Sequence, residues 1–201
     1  MIGRKYDLSI RLVVVGDSGV GKTSYLLRYI RGEYDPEMQP TLGVEFLTKE
    51  ITAMNRKIQV QLWDTAGQEL FRSVTRGYYR GSFGAFLFFD ITNRESFKNI
   101  EQWIYDVQNS ARPKVVLILI GNKKDMEAKR EVQTEEALNF ANLHQMPYFE
   151  TSAKMNFGIN APMEECINRI IKMIENNEFE IESEENTETP KVLTEEKERC
   201  C

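Results

Sequence analysis

Cysteine and histidine are scarce in this chain of 201 residues, with only Cys166, Cys200 and Cys201 on one side and His144 on the other. Three cysteines, two of them the last residues, cannot build a disulfide framework, and His144 has no metal partner or base role in view. Long apolar runs are missing too. The longest, residues 115–120 and 85–89, fall far short of the roughly 20 residues a membrane-spanning helix needs. The start, Met1-Ile2-Gly3-Arg4-Lys5, has neither a leading apolar stretch nor a glycine at position 2, so neither a secretory signal nor myristoylation is expected, and residence in the cytosol follows. Nor is there an excess of positive charge. The formal net charge is −5 and the pI about 5.2, and the acid is concentrated at the end. From residue 175 onward ten Glu stand against Lys191, Lys197 and Arg199, a surplus of seven acids that leaves residues 1–174 at +2. A near-neutral body with an acidic tail has no electrostatic footprint for nucleic acid and no polybasic attraction to lipid.

What is present is a body that can fold. Apolar residues make up 41% and charged residues 28%, the composition of a globular α/β protein of one domain. Apolar β-branched runs alternate with helical periods. Residues 10–15 read as a strand, a glycine loop follows, and residues 22–30 have helical spacing. Residues 44–52 and 57–64 read as two strands of an antiparallel hairpin. Further buried-looking strands at 84–89, 115–120 and 147–150 are separated by helices near 93–111 and 134–144, and a last helix spans 162–175 with Met163, Cys166, Ile167, Ile170, Ile171 and Ile174 on one stripe. Pro162 is tolerable in its first turn. The order implies a doubly wound, mostly parallel six-stranded sheet with one antiparallel edge hairpin and about five helices. Residues 178–201 have few apolar side chains, chiefly Phe179, Ile181, Val192 and Leu193, and are expected to be a disordered tether.

The chemistry begins at Gly16-Asp17-Ser18-Gly19-Val20-Gly21-Lys22-Thr23, which fits the GxxxxGK[ST] phosphate loop between a strand and a helix. Backbone N-H groups turned inward form a nest for phosphates, the helix N-terminus adds positive potential, Lys22 reaches the β- and γ-phosphates, and the Thr23 hydroxyl is a Mg²⁺ ligand, with Ser24 next in the helix. Such loops serve ATPases, kinases and GTPases alike, so the base preference must be read elsewhere. It is read at Asn122-Lys123-Lys124-Asp125. A carboxylate at Asp125 accepts from the N1-H and exocyclic amine of guanine, whereas adenine would leave that charge unpaired. Thr151-Ser152-Ala153-Lys154 fits a second base-contacting loop. Either tetrapeptide alone is an ordinary surface turn; in order behind a phosphate loop they are not. Trp63-Asp64-Thr65-Ala66-Gly67-Gln68-Glu69 closes the hairpin strand, with Asp64 facing Mg²⁺, the Gly67 N-H near a γ-phosphate and Gln68 beside the reacting phosphorus. Pro40-Thr41 lies in the loop before the second strand, where Thr41 meets Mg²⁺ when a γ-phosphate is present.

These motifs resemble the small GTPases of the Ras superfamily and, within it, the Rab family, over residues 8–175 and again at the Cys-Cys end. Rab-like segments are Leu42-Gly43-Val44-Glu45-Phe46, Arg72-Ser73-Val74-Thr75-Arg76-Gly77-Tyr78-Tyr79-Arg80-Gly81 and Phe89-Asp90-Ile91-Thr92. The resemblance implies the P-loop NTPase fold, a G domain over 1–177 and a hypervariable tail over 178–201. It implies a GDP/GTP switch in which Thr23 and Thr41 bind Mg²⁺, Asp64 holds it through water, Gln68 orients the attacking water and Tyr34 flanks the guanine. The segments near 32–46 and 64–80 become switches ordered by the γ-phosphate. Phe46, Trp63 and Tyr78 form an aromatic effector patch on this reading, or simply hairpin core. Cys200 and Cys201 resemble doubly geranylgeranylated ends, two chains giving stable anchoring where one is marginal; two unmodified thiols are the alternative. The implied partners are guanine nucleotide, effector, exchange-factor, GAP and prenyl-binding chaperone proteins, and the cytosolic face of an endomembrane, for a monomer that regulates vesicle traffic. Departures are Asn160-Ala161-Pro162-Met163-Glu164 at the start of the last helix and Met38 where an aromatic residue is frequent. Two other classes stay open: a nucleotide-locked scaffold without a working cycle, and a P-loop kinase or ATPase, which requires ATP to compete for the site.

Overall fold

The computed structural model describes residues 6–41, 43–65 and 77–179. Strand β1, Leu8–Gly16, is buried along most of its length. Its side chains alternate between two apolar layers, with Ile10, Leu12 and Val14 in one and Val13 and Val15 in the other, as a strand covered on both faces requires. Helix α1, Lys22–Arg31, follows. Strands β2, Val44–Ala53, and β3, Arg56–Thr65, pair antiparallel through a turn at Met54 and Asn55, both with positive φ. Strand β4 spans Gly84–Asp90 and β5 Val116–Asn122, buried throughout. Helices α2, Arg94–Lys98, and α3, Ile100–Ser110, lie between them. A 3₁₀ segment at Lys124–Lys129, helix α4 at Thr134–Leu143, strand β6 at Tyr148–Glu150 and helix α5 at Asn160–Glu175 complete the chain of elements.

The six strands are ordered β2-β3-β1-β4-β5-β6. All neighbours except β2 and β3 pair parallel. The expected sheet and hairpin are therefore present. Because β1 lies between β3 and β4, the chain leaves it toward one side of the sheet and later toward the other. The crevice at the carboxyl ends of the strands is where such a reversal builds a binding site. One layer of the core sits under α1 and α5, joining Tyr25 and Leu26 to Met163, Cys166, Ile167 and Ile170. The other sits under α2, α3 and α4, around Trp103, Phe97 and Ala137. Cys166 is buried in the first layer, and burial pushes its thiol pKa up, so its expected core role holds.

Two local readings differ from expectation. The single helix expected near 93–111 is two, because the chain breaks at Asn99, which ends α2 and opens α3. Asn93 starts α2 by accepting from the N-H groups of Glu95 and Ser96 at 3.0 and 3.2 Å, a standard cap. The second difference is Phe179, expected in the tether. Asn177 adopts a positive φ and donates to Ile174 O, Glu178 N-H donates to Met173 O, and the chain folds back. Phe179 is then only 6% exposed and packs edge-on against Phe83, ring centroids 5.3 Å apart. One aromatic ring at a helix terminus buries enough apolar area to order the few residues leading to it.

Candidate nucleotide site

The phosphate loop runs from the end of β1 into α1, and two of its glycines are forced by close neighbours. A Cβ on Gly16 would sit 2.3 Å from the Phe88 carbonyl oxygen of β4, at a φ of +138°. On Gly21, φ +90°, it would sit 2.5 Å from Nδ2 of Asn122. No L side chain fits either place. Ser18 and Gly19 are exposed at the crest while Val20 is buried beneath it. Lys22 is itself buried, and its Nζ donates to Gly16 O and Asp17 O, both at 2.9 Å. Burial lowers its pKa to about 8 against the opposing pull of Asp64 and Asp17. A buried ammonium whose hydrogen bonds among the described residues go to carbonyls is a strong site for an incoming anion.

Beside Lys22 three oxygen-bearing side chains converge from three segments. The Thr23 hydroxyl donates to Asp64 Oδ2 at 2.5 Å and lies 2.6 Å from the Thr41 hydroxyl, which is 3.4 Å from the same carboxylate oxygen. The other oxygen, Asp64 Oδ1, is buried without a hydrogen-bond partner among the described residues. Burial raises the Asp64 pKa, with Thr23 and Lys22 opposing. An all-oxygen set with one unpaired buried carboxylate oxygen fits a hard cation. Pro40, next to Thr41, is exposed.

The base side of the site is held together by Asn122, at the end of β5. Its Nδ2 donates to Val20 O at 2.8 Å and its Oδ1 accepts from the Thr151 hydroxyl at 3.0 Å. Lys123, at positive φ, pairs with Asp90 Oδ2 at 2.8 Å. Asp125 accepts from the Ser152 hydroxyl at 2.6 Å, and the same Ser152 Oγ receives the N-H of Met155. Ser152 and Ala153 are buried and Lys154 is exposed. Tyr34 is half-buried, with the Arg28 guanidinium 5.8 Å from its ring centroid. The described members of this set gather at the carboxyl ends of β1, β3 and β5 and in the loops beside them; Gly67, Gln68, Cys200 and Cys201 lie outside the described residues.

Several partners of this site had no motif to announce them. Arg28 of α1 donates from Nε to Ala153 O at 2.7 Å. Asn99 and Trp103 hold the carboxylate of Asp17. Glu150, at the end of β6, is the hub of an ion network. It takes both Arg130 Nη atoms at 2.9 Å, Lys124 Nζ at 2.5 Å, and the hydroxyls of Thr134 and Tyr148 at 2.9 Å. Burial opposes its charge, but these donors outweigh burial and hold its pKa down at about 2. The only hint in the sequence is that Lys124 lies inside the first base-loop tetrapeptide and Glu150 directly precedes the second.

The aromatic trio is contiguous across β2, β3 and the helical residues 77–79. Phe46 lies 4.9 Å from Trp63, and Trp63 5.4 Å from Tyr78. Trp63 is 7% exposed while Phe46 is 48% exposed, so the cluster is part core and part surface.

The comparisons agree with this geometry. The family model described as Ras family matches residues 11–172. GTP-binding protein ypt3 of Schizosaccharomyces pombe is 40% identical over 176 residues, 88% of this chain and 82% of that protein. Ras-related protein Rab-2B of Dictyostelium discoideum is 40% identical over 181 residues, 90% of each. Ras-related protein Rab-4A of Danio rerio is 41% identical over 177 residues, 88% of this chain and 83% of that protein. A phosphate loop joined to a base-recognition loop, on a sheet that this family shares from β1 to α5, places the chain in the Rab family of Ras-like small GTPases, enzymes that bind guanine nucleotide and hydrolyse GTP.

Proposed function

We propose that this chain is a GDP/GTP switch that works on the cytosolic face of an endomembrane in vesicle-mediated transport. Support for the nucleotide assignment comes from one observation above others: the amide of Asn122 joins the base loop to the phosphate loop through Val20. Asp125, steadied by Ser152, accepts the two N-H groups of guanine, and Lys123 and Ala153 border the base. Lys22 exchanges its carbonyl partners for β- and γ-phosphate oxygens, assisted by the N-H groups of residues 17–24. Thr23, Thr41 and Asp64 would hold Mg²⁺, and their all-oxygen geometry fits it; bound there, the ion neutralises charge developing on the β- and γ-phosphates.

Gln68 orients a water for in-line attack on the γ-phosphorus. A bond forms from the water oxygen, the bond to the β-γ bridging oxygen breaks, and GDP and inorganic phosphate leave. No arginine finger is evident in the motifs, so intrinsic turnover is expected to be slow, of order 10⁻⁴ to 10⁻³ s⁻¹, with a GAP supplying that charge. Loss of the γ-phosphate releases Thr41 and the Gly67 N-H, which loosens the two switch segments and withdraws the effector surface that includes Phe46, Trp63 and Tyr78. Exchange factors reload the site. Prenyl groups on Cys200 and Cys201 anchor the protein, and a prenyl-binding chaperone carries it between membranes.

The experiment is to denature protein purified with Mg²⁺ and identify the nucleotide released. GDP near one per chain is expected, while ADP, or an empty site, would replace this reading with an ATPase or a scaffold. Gln68→Leu should keep nucleotide binding and suppress hydrolysis in single-turnover assays; unchanged hydrolysis would remove Gln68 from its role.

A further inference from the structure

Asp17 presents a puzzle, because a carboxylate at the start of a phosphate loop should repel the ligand the loop exists to hold. The structure turns it aside. Its Oδ2 accepts from Nδ2 of Asn99 at 2.7 Å and its Oδ1 from Nε1 of Trp103 at 2.9 Å. Both donors come from α3 and the break that precedes it: Asn99 is the junction residue, and Trp103 is one turn further on and buried. Meanwhile the main-chain oxygen of Asp17 is one of the two anchors of Lys22. The same residue therefore carries a charge that opposes phosphate and a carbonyl that aims the lysine toward it.

We propose that Asn99 and Trp103 are positioning residues for phosphate binding. By occupying both carboxylate oxygens of Asp17 they hold its negative charge toward α3 and away from the nest, and they fix the peptide whose carbonyl steers Lys22. A bond to a charged group is stronger than a neutral one, and two of them leave the carboxylate little reason to swing back. The broken helix has a use on this account: Asn99 sits between α2 and α3, where its side chain can reach the loop. The proposal rests on the reading that residues 16–23 hold nucleotide phosphates.

The test uses the full chain loaded with fluorescent GDP and follows its release into excess unlabelled GDP. Trp103→Phe keeps the buried ring and removes the donor, and Asn99→Ala removes the other. The double variant is expected to release GDP about 10- to 100-fold faster than the starting protein. Adding Asp17→Ala, which deletes the charge and keeps the main chain, should bring release back to within about threefold, since removing both sides of a part-buried polar pair is close to neutral. Recovery is the readout that packing alone would not produce. Unchanged release in the double variant overturns the proposal, and so does a triple variant as fast as the double. If the double variant does not fold, Asn99→Ala with and without Asp17→Ala carries the same contrast. A starting protein that retains no GDP overturns the phosphate-loop reading itself, and the proposal with it.

Discussion

The side-chain amide of Asn122 donates to the carbonyl of Val20 at 2.8 Å, across 102 positions of sequence. With Thr151 bonded to its other end at 3.0 Å, one buried amide fastens the phosphate loop, the end of β5 and the loop after β6 into a single body. A ligand spanning from base to phosphate meets a preorganised surface rather than three loose loops. Asn122→Ala should then speed release of GDP from both ends of the site. It should also lower stability by about 1–3 kcal/mol, the cost of stranding buried polar groups. Nucleotide release and denaturant unfolding of the GDP-loaded protein measure the two effects; unaltered release would mean the loops hold their places without it.

Asp125 gives the base preference its sharpest test. Its carboxylate is ready to accept two hydrogen bonds, and Ser152 keeps it in position at 2.6 Å. Asp125→Asn puts a donor where an acceptor is required, so affinity for GDP should fall by at least about two orders of magnitude. Competition between GTP and ATP in a binding assay reads the same point from the ligand side. ATP displacing labelled GDP as well as GTP does would end the assignment.

Glu150 makes the base edge sensitive to acid. Its carboxylate is held at about 2 by Arg130, Lys124, Thr134 and Tyr148 despite burial, below the ordinary value of 4.5. A depressed carboxylate contributes its full stabilisation above the unfolded-state pKa and loses it as pH falls toward the folded one. Stability should therefore drop between about pH 4.5 and 2. Glu150→Gln should flatten the curve in that window and cost about 2–3 kcal/mol near neutral pH, with Arg130 retaining Glu127. Equal slopes for the two proteins would exonerate Glu150.

Phe179 closes the domain at its far end. It packs on Phe83, whose ring also has the Arg112 guanidinium over it at 4.5 Å from the centroid, and Lys114 pairs with neighbouring Glu178 at 3.2 Å. Phe83 directly precedes the amino end of β4, so this latch lies at the end of the strands opposite the nucleotide site. Phe179→Ala should destabilise by about 3–5 kcal/mol and leave GDP release unchanged. Denaturant midpoints and release rates, taken together, decide whether it is a latch or a passenger.

Much of this protein is legible in its residues because the determining interactions are local. Strand alternation, helical stripes, and the spacing of Gly16, Gly21, Lys22 and Thr23 are set by backbone geometry over a few positions, and so the sheet, the hairpin and the phosphate loop can be read in advance. The acid of Asp125 and the oxygens of Thr23, Thr41 and Asp64 can be read as well, since their chemistry is intrinsic to the side chains. What only the tertiary structure decided is who holds them. Asn99 and Trp103 on Asp17, Arg28 on Ala153, Lys124 and Arg130 on Glu150, and Phe179 on Phe83 are all pairings between separate segments of the chain. No local propensity encodes such contacts. They arise because the crossover helices and the parallel sheet bring those segments together, and because a charge or indole N-H taken out of water is costly unless the fold supplies it a partner.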